Sequence, residues 1–196
     1  MADVLPTEVP PEYVRDLEAR LRDVYDALPH EFKAEIVDGG IQLMTPAGER
    51  HGNAAGNLLF SLKLYQRAGA GGRAYPDNVG YRVDLPGRGS FSPDVSFYTG
   101  AFRGPDLIED APDLAVEVRS PGDYGRRAEA RLARKRDDYF AAGTKVVWDV
   151  DLLSDDVVRV YRADRPDAPD VFRRGETADA EPAVPGWRFA VDELFD

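Results

Sequence analysis

The stretch PDLAVEVRSPGDYGRRAEARLARKRDDYFAAGTKVVWDV, residues 112–150, indicates the fold class of this chain. Residues 113–119 have the alternating pattern of a β-strand, and residues 123–142 predict a helix that ends at Gly143. Residues 145–150 predict a second strand. Because a helix that joins two strands of one sheet forms a crossover, these two strands should pair in parallel. The stretch therefore predicts an α/β fold.

The sequence on either side predicts further helices and strands. Apolar residues at three- and four-residue spacing predict two more helices, and the Asp-Gly step after residue 37 predicts a hairpin. The predicted elements are a loose tail at 1–10, helices at 12–28 (ended by Pro29) and 50–67, a hairpin at 34–44, strands at 78–85, 93–98 and 157–161, a loop at 87–90, and a strand followed by a short helical turn at 185–195.

Length and composition narrow the class of protein. The chain has 196 residues, of which 43% are apolar, so it is long enough for one domain with a sizeable core. It contains no cysteine, which excludes disulfides and thiolate metal sites. No apolar run approaches the roughly 20 residues that a membrane span needs. The acidic N-terminus lacks the pattern of a signal peptide, and we expect a cytoplasmic protein without a membrane partner.

The net charge of −11 argues against a protein that grips nucleic acid tightly, since such proteins usually carry a basic surface. Two features weaken that objection. Clustered carboxylates are what a metal site requires, and a bound cation would cancel part of their charge. Basic residues are also dense locally, between residues 119 and 136.

Three charged residues lie on neighbouring predicted elements. Asp94 opens a strand after Pro93, Glu117 interrupts an apolar strand, and Lys135 lies on the next helix. Each also has an ordinary structural interpretation. Asp94 could cap its strand, Glu117 could pair with Arg119 on the same strand face, and Lys135 could belong to a solvated charged face. The functional interpretation depends on the combination of the three and on their order.

Glu117 is the most informative of the three residues. If helices cover both faces of its strand, its carboxylate is at least half-buried, which is costly unless it is paired or bound to a cation. Asp94 and Glu117, together with a backbone carbonyl, would form the hard oxygen site that Mg²⁺ prefers. Such an ion stabilises charge on a phosphate under attack, and the Lys135 ammonium could orient the nucleophile.

The order of these motifs resembles that of the Uma family of restriction endonucleases, in the PD-(D/E)XK nuclease superfamily. The resemblance extends over roughly residues 30 to 195. It is carried by the segments SPDVSF (92–97), APDLAVEVRSP (111–121), KRDDYFAAGTKVVWDV (135–150), AEIVDGGI (34–41) and VPGWRFAVDELF (184–195).

The resemblance implies roles for five residues. Asp94 and Glu117 would be the metal ligands, and Lys135 would be the catalytic lysine. Glu35 would be an additional acidic residue supplied by the first hairpin. His51 would begin the first core helix and take part in proton transfer or contact a phosphate. A histidine at a helix start can equally be a simple cap or surface residue.

The chain departs from the superfamily pattern after Glu117. The usual arrangement places the lysine at the position of Arg119, whereas the Uma pattern moves it to the following helix, four residues before an aromatic. Lys135 and Tyr139 have that spacing, which corresponds to one helical turn. Arg119 could contact phosphate, or it could pair with the site carboxylates and suppress metal binding. With Arg126 and Arg127, it is a candidate contact to nucleic acid.

The resemblance implies one restriction-endonuclease-like domain at 30–196, with a mixed curved β-sheet and flanking helices, after a tail and amphipathic helix at 1–29. The main hypothesis is a DNA endonuclease that depends on Mg²⁺ or Mn²⁺. The alternative is a non-catalytic binding or regulatory module that has kept the fold. A more distant alternative is a metal-dependent hydrolase of a small phosphate compound. A homodimer is expected by analogy, because two scissions need two sites.

Overall fold

The computed structural model describes residues 11–27, 33–44, 46–69 and 71–196, with side chains from residue 19 onward. The predicted tail at 1–10 and the predicted helix end at Pro29 lie outside these residues. The helices are α1 (Pro11–Asp26), α2 (Glu49–Arg67), α3 (Arg126–Ala141) and a 3-10 helix (Val191–Phe195). The strands are β1 (Ala34–Val37), β2 (Gly40–Leu43), β3 (Arg73–Pro76), β4 (Tyr81–Leu85), β5 (Arg88–Phe91), β6 (Val95–Tyr98), β7 (Leu114–Val118), β8 (Val146–Val150), β9 (Val158–Arg162), β10 (Arg165–Phe172), β11 (Thr177–Asp179) and β12 (Arg188–Ala190).

These elements form a single mixed α/β domain, as predicted. Its main sheet has the order β10-β9-β8-β7-β6-β3, and a second sheet has the order β2-β1-β5-β4. Strands β7 and β8 pair in parallel with α3 between them in sequence, and Glu117 lies opposite Asp149 in the register. The crossover predicted from residues 112–150 is therefore confirmed. Among the described residues, no helix combines the length and apolar character needed to cross a lipid bilayer.

Helices cover both faces of β7. Leu114, Val116 and Val118 are buried on one face in the main core, which also contains Leu58 and Leu62 of α2. Their alternation with Ala115 and Glu117 follows from the two-residue period of a strand. The core on the opposite face contains Ala115 of β7, Val147 of β8 and Tyr139 of α3.

The first hairpin forms at the predicted place. Asp38 and Gly39 between β1 and β2 have φ angles of +50° and +70°. Positive φ at both central residues is the requirement of the hairpin turn that favours Asp-Gly. The hairpin places Glu35 on an inner strand of the second sheet, between β2 and β5.

The prediction of a loop at 87–90 is wrong, because Arg88–Phe91 forms β5 between β1 and β4. Glycine is required at the two positions of this segment for different reasons. Gly87 has a φ of +77° in the turn, whereas a Cβ on Gly89 would lie 2.8 Å from Ile36 Cγ2. Gly89 therefore marks a close approach of two strands, which a sequence pattern does not distinguish from a loop.

The edge strand β10 was not predicted. It contains Pro166 and Pro169, and its pairing with β9 shifts register between Arg165 and Asp170. Proline cannot donate a hydrogen bond to a neighbouring strand, so it is tolerated at edges and bulges. β10 is both an edge strand and irregular in register, so it tolerates its two prolines. From the sequence alone, the prolines indicate a break rather than a strand.

Candidate active site

Asp94 lies directly before β6, where its carboxylate is held from three sides. The side chain is 8% exposed. Its Oδ1 lies 3.0 Å from the Nζ of Lys33, and its Oδ2 lies 3.1 Å from Nε2 of His51. The backbone N–H of Val118 donates to Oδ2 over 2.8 Å, which ties this carboxylate to β7.

The surroundings of Asp94 favour its charged form. Burial by itself would raise the pKa of this carboxyl, but the hydrogen bond with His51 and the positive charge of Lys33 outweigh it. The net effect is a pKa well below the usual range. The pKa of His51 is raised, mainly by its hydrogen bond to Asp94, against the opposing effect of burial. The pair therefore favours an ionised carboxylate beside a protonated imidazole.

Glu117, from the middle of β7, shares an ammonium group with Glu35. Nζ of Lys135 lies 2.9 Å from Oε1 of Glu117 and 2.9 Å from Oε1 of Glu35. The hydroxyl of Tyr139 donates to Oε1 of Glu117 over 2.6 Å. Lys135 and Tyr139 thus act on the same oxygen from one side of α3, as their four-residue spacing allows.

The second oxygen of Glu35 is held by Arg88. Its Oε2 lies 2.8 Å from NH1 of Arg88, and its Oε1 also accepts the backbone N–H of Ser92 over 2.9 Å. Nε of Arg88 in turn donates to Asp138 on α3 over 3.0 Å. Positive charge from Lys135 and Arg88 lowers the pKa of Glu35 in spite of its burial.

The pKa of Glu117 is shifted in the opposite direction to those of Asp94 and Glu35. Its pKa is raised, first by burial and then by the negative charges of Asp94 and Glu35, which the ammonium of Lys135 only partly offsets. The pKa of Lys135 is also raised, because attraction to Glu117 and Glu35 exceeds the effect of burial. Lys135 therefore keeps its proton, while Glu117 is the carboxylate here with a raised affinity for one.

His51 lies in the first turn of α2, as predicted. Its Nδ1 is buried and has no hydrogen-bond partner among the described residues. Such an orphaned polar atom is unusual in a folded protein, and it is typical of a site that binds water, an ion or a substrate group.

Arg119 does not point into this site. Its Nε and NH2 each lie 2.7 Å from a carboxylate oxygen of Asp149, and its guanidinium also binds Glu129. Neither of the pairings predicted for it, with Glu117 or with Asp94, is found. Arg126 and Arg127, at the start of α3, are exposed.

A model of the Uma2 family, described as "Putative restriction endonuclease", matches residues 21–192 of the chain. The protein belongs to the Uma2 family. The resemblance inferred from the sequence motifs is thereby confirmed.

A solved structure of a "putative nuclease belonging to DUF820" from Anabaena variabilis ATCC 29413 has a similar fold. The TM-score is 0.70 and the sequence identity is 19%, and the match covers 88% of this chain and 96% of that chain. No curated protein matches this chain.

The carboxylates in the site of this Uma2 protein are the type of ligand that a hard divalent cation requires. Carboxylate oxygens are the preferred ligands of Mg²⁺ and Mn²⁺. A cation already occupies the first carboxylate, because the ammonium of Lys33 lies between Oδ1 of Asp94 and Oδ1 of Asp77, the latter at 2.5 Å. Within the described residues, however, no group of three or more histidine or acidic side chains is placed around one point. An ion would therefore have to displace Lys33.

Two residues of this Uma2 site, Lys33 and Arg88, were not predicted from the sequence. Lys33 precedes the first hairpin in a segment without a periodic pattern, so nothing in the sequence pointed to it. Arg88 was hidden by the prediction of a loop at 87–90. In the structure Arg88 and Ser90 are both buried, two residues apart in β5, but a polar pair of this kind gives no apolar alternation in the sequence.

Proposed function

We propose that the protein is a metal-dependent endonuclease that hydrolyses DNA phosphodiester bonds. In this proposal Asp94 and Glu117 bind Mg²⁺ or Mn²⁺, and Lys135 assists the nucleophile. The observation that carries the proposal is the meeting of Lys135 with Glu117 and Glu35 at 2.9 Å each, beside Asp94. Membership of the Uma2 family and the nuclease-like fold support it.

The residues of the site divide the chemistry among them. When bound, the metal ion supplies electrostatic stabilisation of the charge that develops on the phosphate under attack. Lys135 retains its proton, so it acts by charge and by hydrogen-bond donation rather than as a base. Oε1 of Glu117 is taken by Lys135 and Tyr139, whereas Oε2 forms no hydrogen bond with the described residues, so Oε2 would be the oxygen that binds the ion.

His51 completes the proposed site. Its Nε2 is engaged by Asp94, and its orphaned Nδ1 is available to a phosphate oxygen or to a water molecule. Because Nε, NH1 and NH2 of Arg119 are all engaged by carboxylates, we propose Arg126 and Arg127 as the contacts to the DNA backbone. A homodimer would supply the second cleavage centre for a double-strand break.

A second candidate function is a non-catalytic module that has kept the fold. One observation favours it: each carboxylate of the site already has a basic partner without a metal ion. Asp94 pairs with Lys33, Glu35 pairs with Arg88 and Lys135, and Glu117 pairs with Lys135. The net charge of −11 adds to this argument.

Nicking of supercoiled plasmid distinguishes the two functions. We expect the purified protein to nick plasmid with Mg²⁺ or Mn²⁺ but not with EDTA, and Asp94→Ala to abolish nicking. Asp84→Ala is the matched control, because Asp84 pairs with Arg22 at the surface with its side chain 90% exposed. Absence of nicking with either ion, together with a melting temperature that neither ion changes, would support the non-catalytic module.

A further inference from the structure

A cleft of about 710 Å³ opens beside the candidate active site. This volume is typical of clefts that enclose a small ligand. Lys33 and Ser92 are among the residues that line it, and both also contact the site. Lys33 binds Asp94, and the backbone N–H of Ser92 binds Glu35. A strand held at Asp94 could therefore continue into this cleft.

The cleft is also lined by an exposed aromatic ring that has a fixed cation beside it. The side chain of Phe102 is 73% exposed, and the guanidinium of Arg73 lies 5.6 Å from the centre of its ring. Arg73 is fixed in turn, because it donates to the carbonyl of Gly100 over 2.8 Å and to the hydroxyl of Tyr75 over 3.2 Å. The guanidinium therefore lies beside Phe102 and Tyr75, both of which line the cleft.

The charges that line the cleft nearly cancel. Asp26 lies 2.5 Å and Glu109 lies 3.5 Å from the guanidinium of Arg82, so their charge is largely met. Arg103 forms no ion pair with any described residue, but Asp106 on the same loop is also exposed. A ligand of this cleft would therefore be bound by its flat face more than by its negative charge.

Nucleobases have such a face. In a duplex, however, each base is stacked between its neighbours, so only an unpaired base can lie on a protein ring. We propose that this cleft binds an unpaired nucleobase of the DNA strand next to the cleavage point, stacked on Phe102. The inference rests on the proposed function, and it predicts that DNA with an unpaired base next to the cleavage point is preferred to fully paired DNA.

Binding without cleavage tests this inference. The probe is a short oligodeoxythymidine that carries one 2-aminopurine, whose fluorescence falls when it stacks, and EDTA is present throughout. We expect quenching by the unmodified protein and about tenfold weaker binding by Phe102→Ala, since one stacked base contributes about 1–3 kcal/mol. Phe102→Trp should restore binding, and the dependence on salt should be shallow.

Phe60→Ala is the matched control, because Phe60 is an equally bare phenylalanine, 64% exposed on α2, that does not line the cleft. It should bind the probe as the unmodified protein does. Equal affinity of Phe102→Ala and the unmodified protein would overturn the inference, as would absence of quenching. Nicking without quenching would refute only the stacking site, whereas quenching without nicking would refute only the endonuclease.

Discussion

Glu117 in β7 and Arg119 just after the end of that strand lie two residues apart, and their surroundings differ. Arg119 meets Asp149 through two hydrogen bonds of 2.7 Å, and only 6% of its side chain is exposed. Its pKa is raised, mainly by the hydrogen bonds to Asp149. Glu117 instead shares one ammonium with Glu35, and its pKa is raised by burial.

This difference separates a structural ion pair from a reactive group. The charge of Arg119 is matched by carboxylates with a fitting geometry, so the protein already satisfies it. The charge of Glu117 is only partly matched, because Asp94 and Glu35 add negative charge nearby. Carboxylates whose pKa is perturbed in this way are typical of functional sites. The comparison therefore favours a structural role for Arg119 and supports the catalytic role that we propose for Glu117.

The largest expected effect is on cleavage by Glu117→Gln. This change removes a carboxylate oxygen charge that the proposed mechanism needs, so nicking should slow about 1,000-fold, or about 4 kcal/mol. Arg119→Met should unfold more easily yet nick within about threefold of the unmodified protein while folded. Initial rates of plasmid nicking, at a temperature where both variants are folded, measure the contrast. Equal losses of nicking rate in the two variants would contradict the difference in role between Glu117 and Arg119.

A smaller effect is expected on stability when the shared ammonium is removed. Lys135→Met leaves Glu117 and Glu35 without their common partner, so the free energy of unfolding should fall by about 3 kcal/mol. Arg134→Met on the same helix turn is the control, since Arg134 pairs with Asp38 at the exposed surface and its loss should cost much less stability. Urea denaturation at neutral pH measures both. If Lys135→Met lowered the free energy of unfolding as little as Arg134→Met does, the buried cluster of Lys135, Glu117 and Glu35 would be contradicted.

The smallest expected effect is on how stability changes with pH, and its sign differs between the two site carboxylates. The lowered pKa of Asp94 stabilises the fold, a gain that is complete above its unfolded pKa near 3.8 and lost as pH falls. The raised pKa of Glu117 has the opposite sign, since stability is lost as pH rises from about 4.5 through the folded pKa.

Urea unfolding over a series of pH values tests these signs. Relative to Asp94→Asn, the unmodified protein should gain stability as pH rises to about 4, because it acquires a well-paired charge. Relative to Glu117→Gln, it should lose stability as pH rises above about 4.5. The same sign for both pairs would show that Glu117 is an ordinary paired carboxylate.

Local pattern was enough to predict much of the fold. The alternation of apolar residues in β7, the hairpin at Asp38 and Gly39, and the helix before Gly143 depend on neighbours close in sequence, and all three are confirmed. Strands β5 and β10 were missed because the glycine at 89 and the two prolines at 166 and 169 serve long-range packing and an edge position. Such causes are not visible in a short window.

By itself, the sequence determined the strand–helix–strand unit, the face of β7 on which Glu117 lies, and the one-turn spacing of Lys135 and Tyr139. Backbone periodicity sets these features without reference to the rest of the chain. Only the tertiary structure decided that Arg119 binds Asp149 and that Lys33 binds Asp94. Those choices depend on which distant segments the sheet register and the packing of helices bring within a few ångströms of each charge.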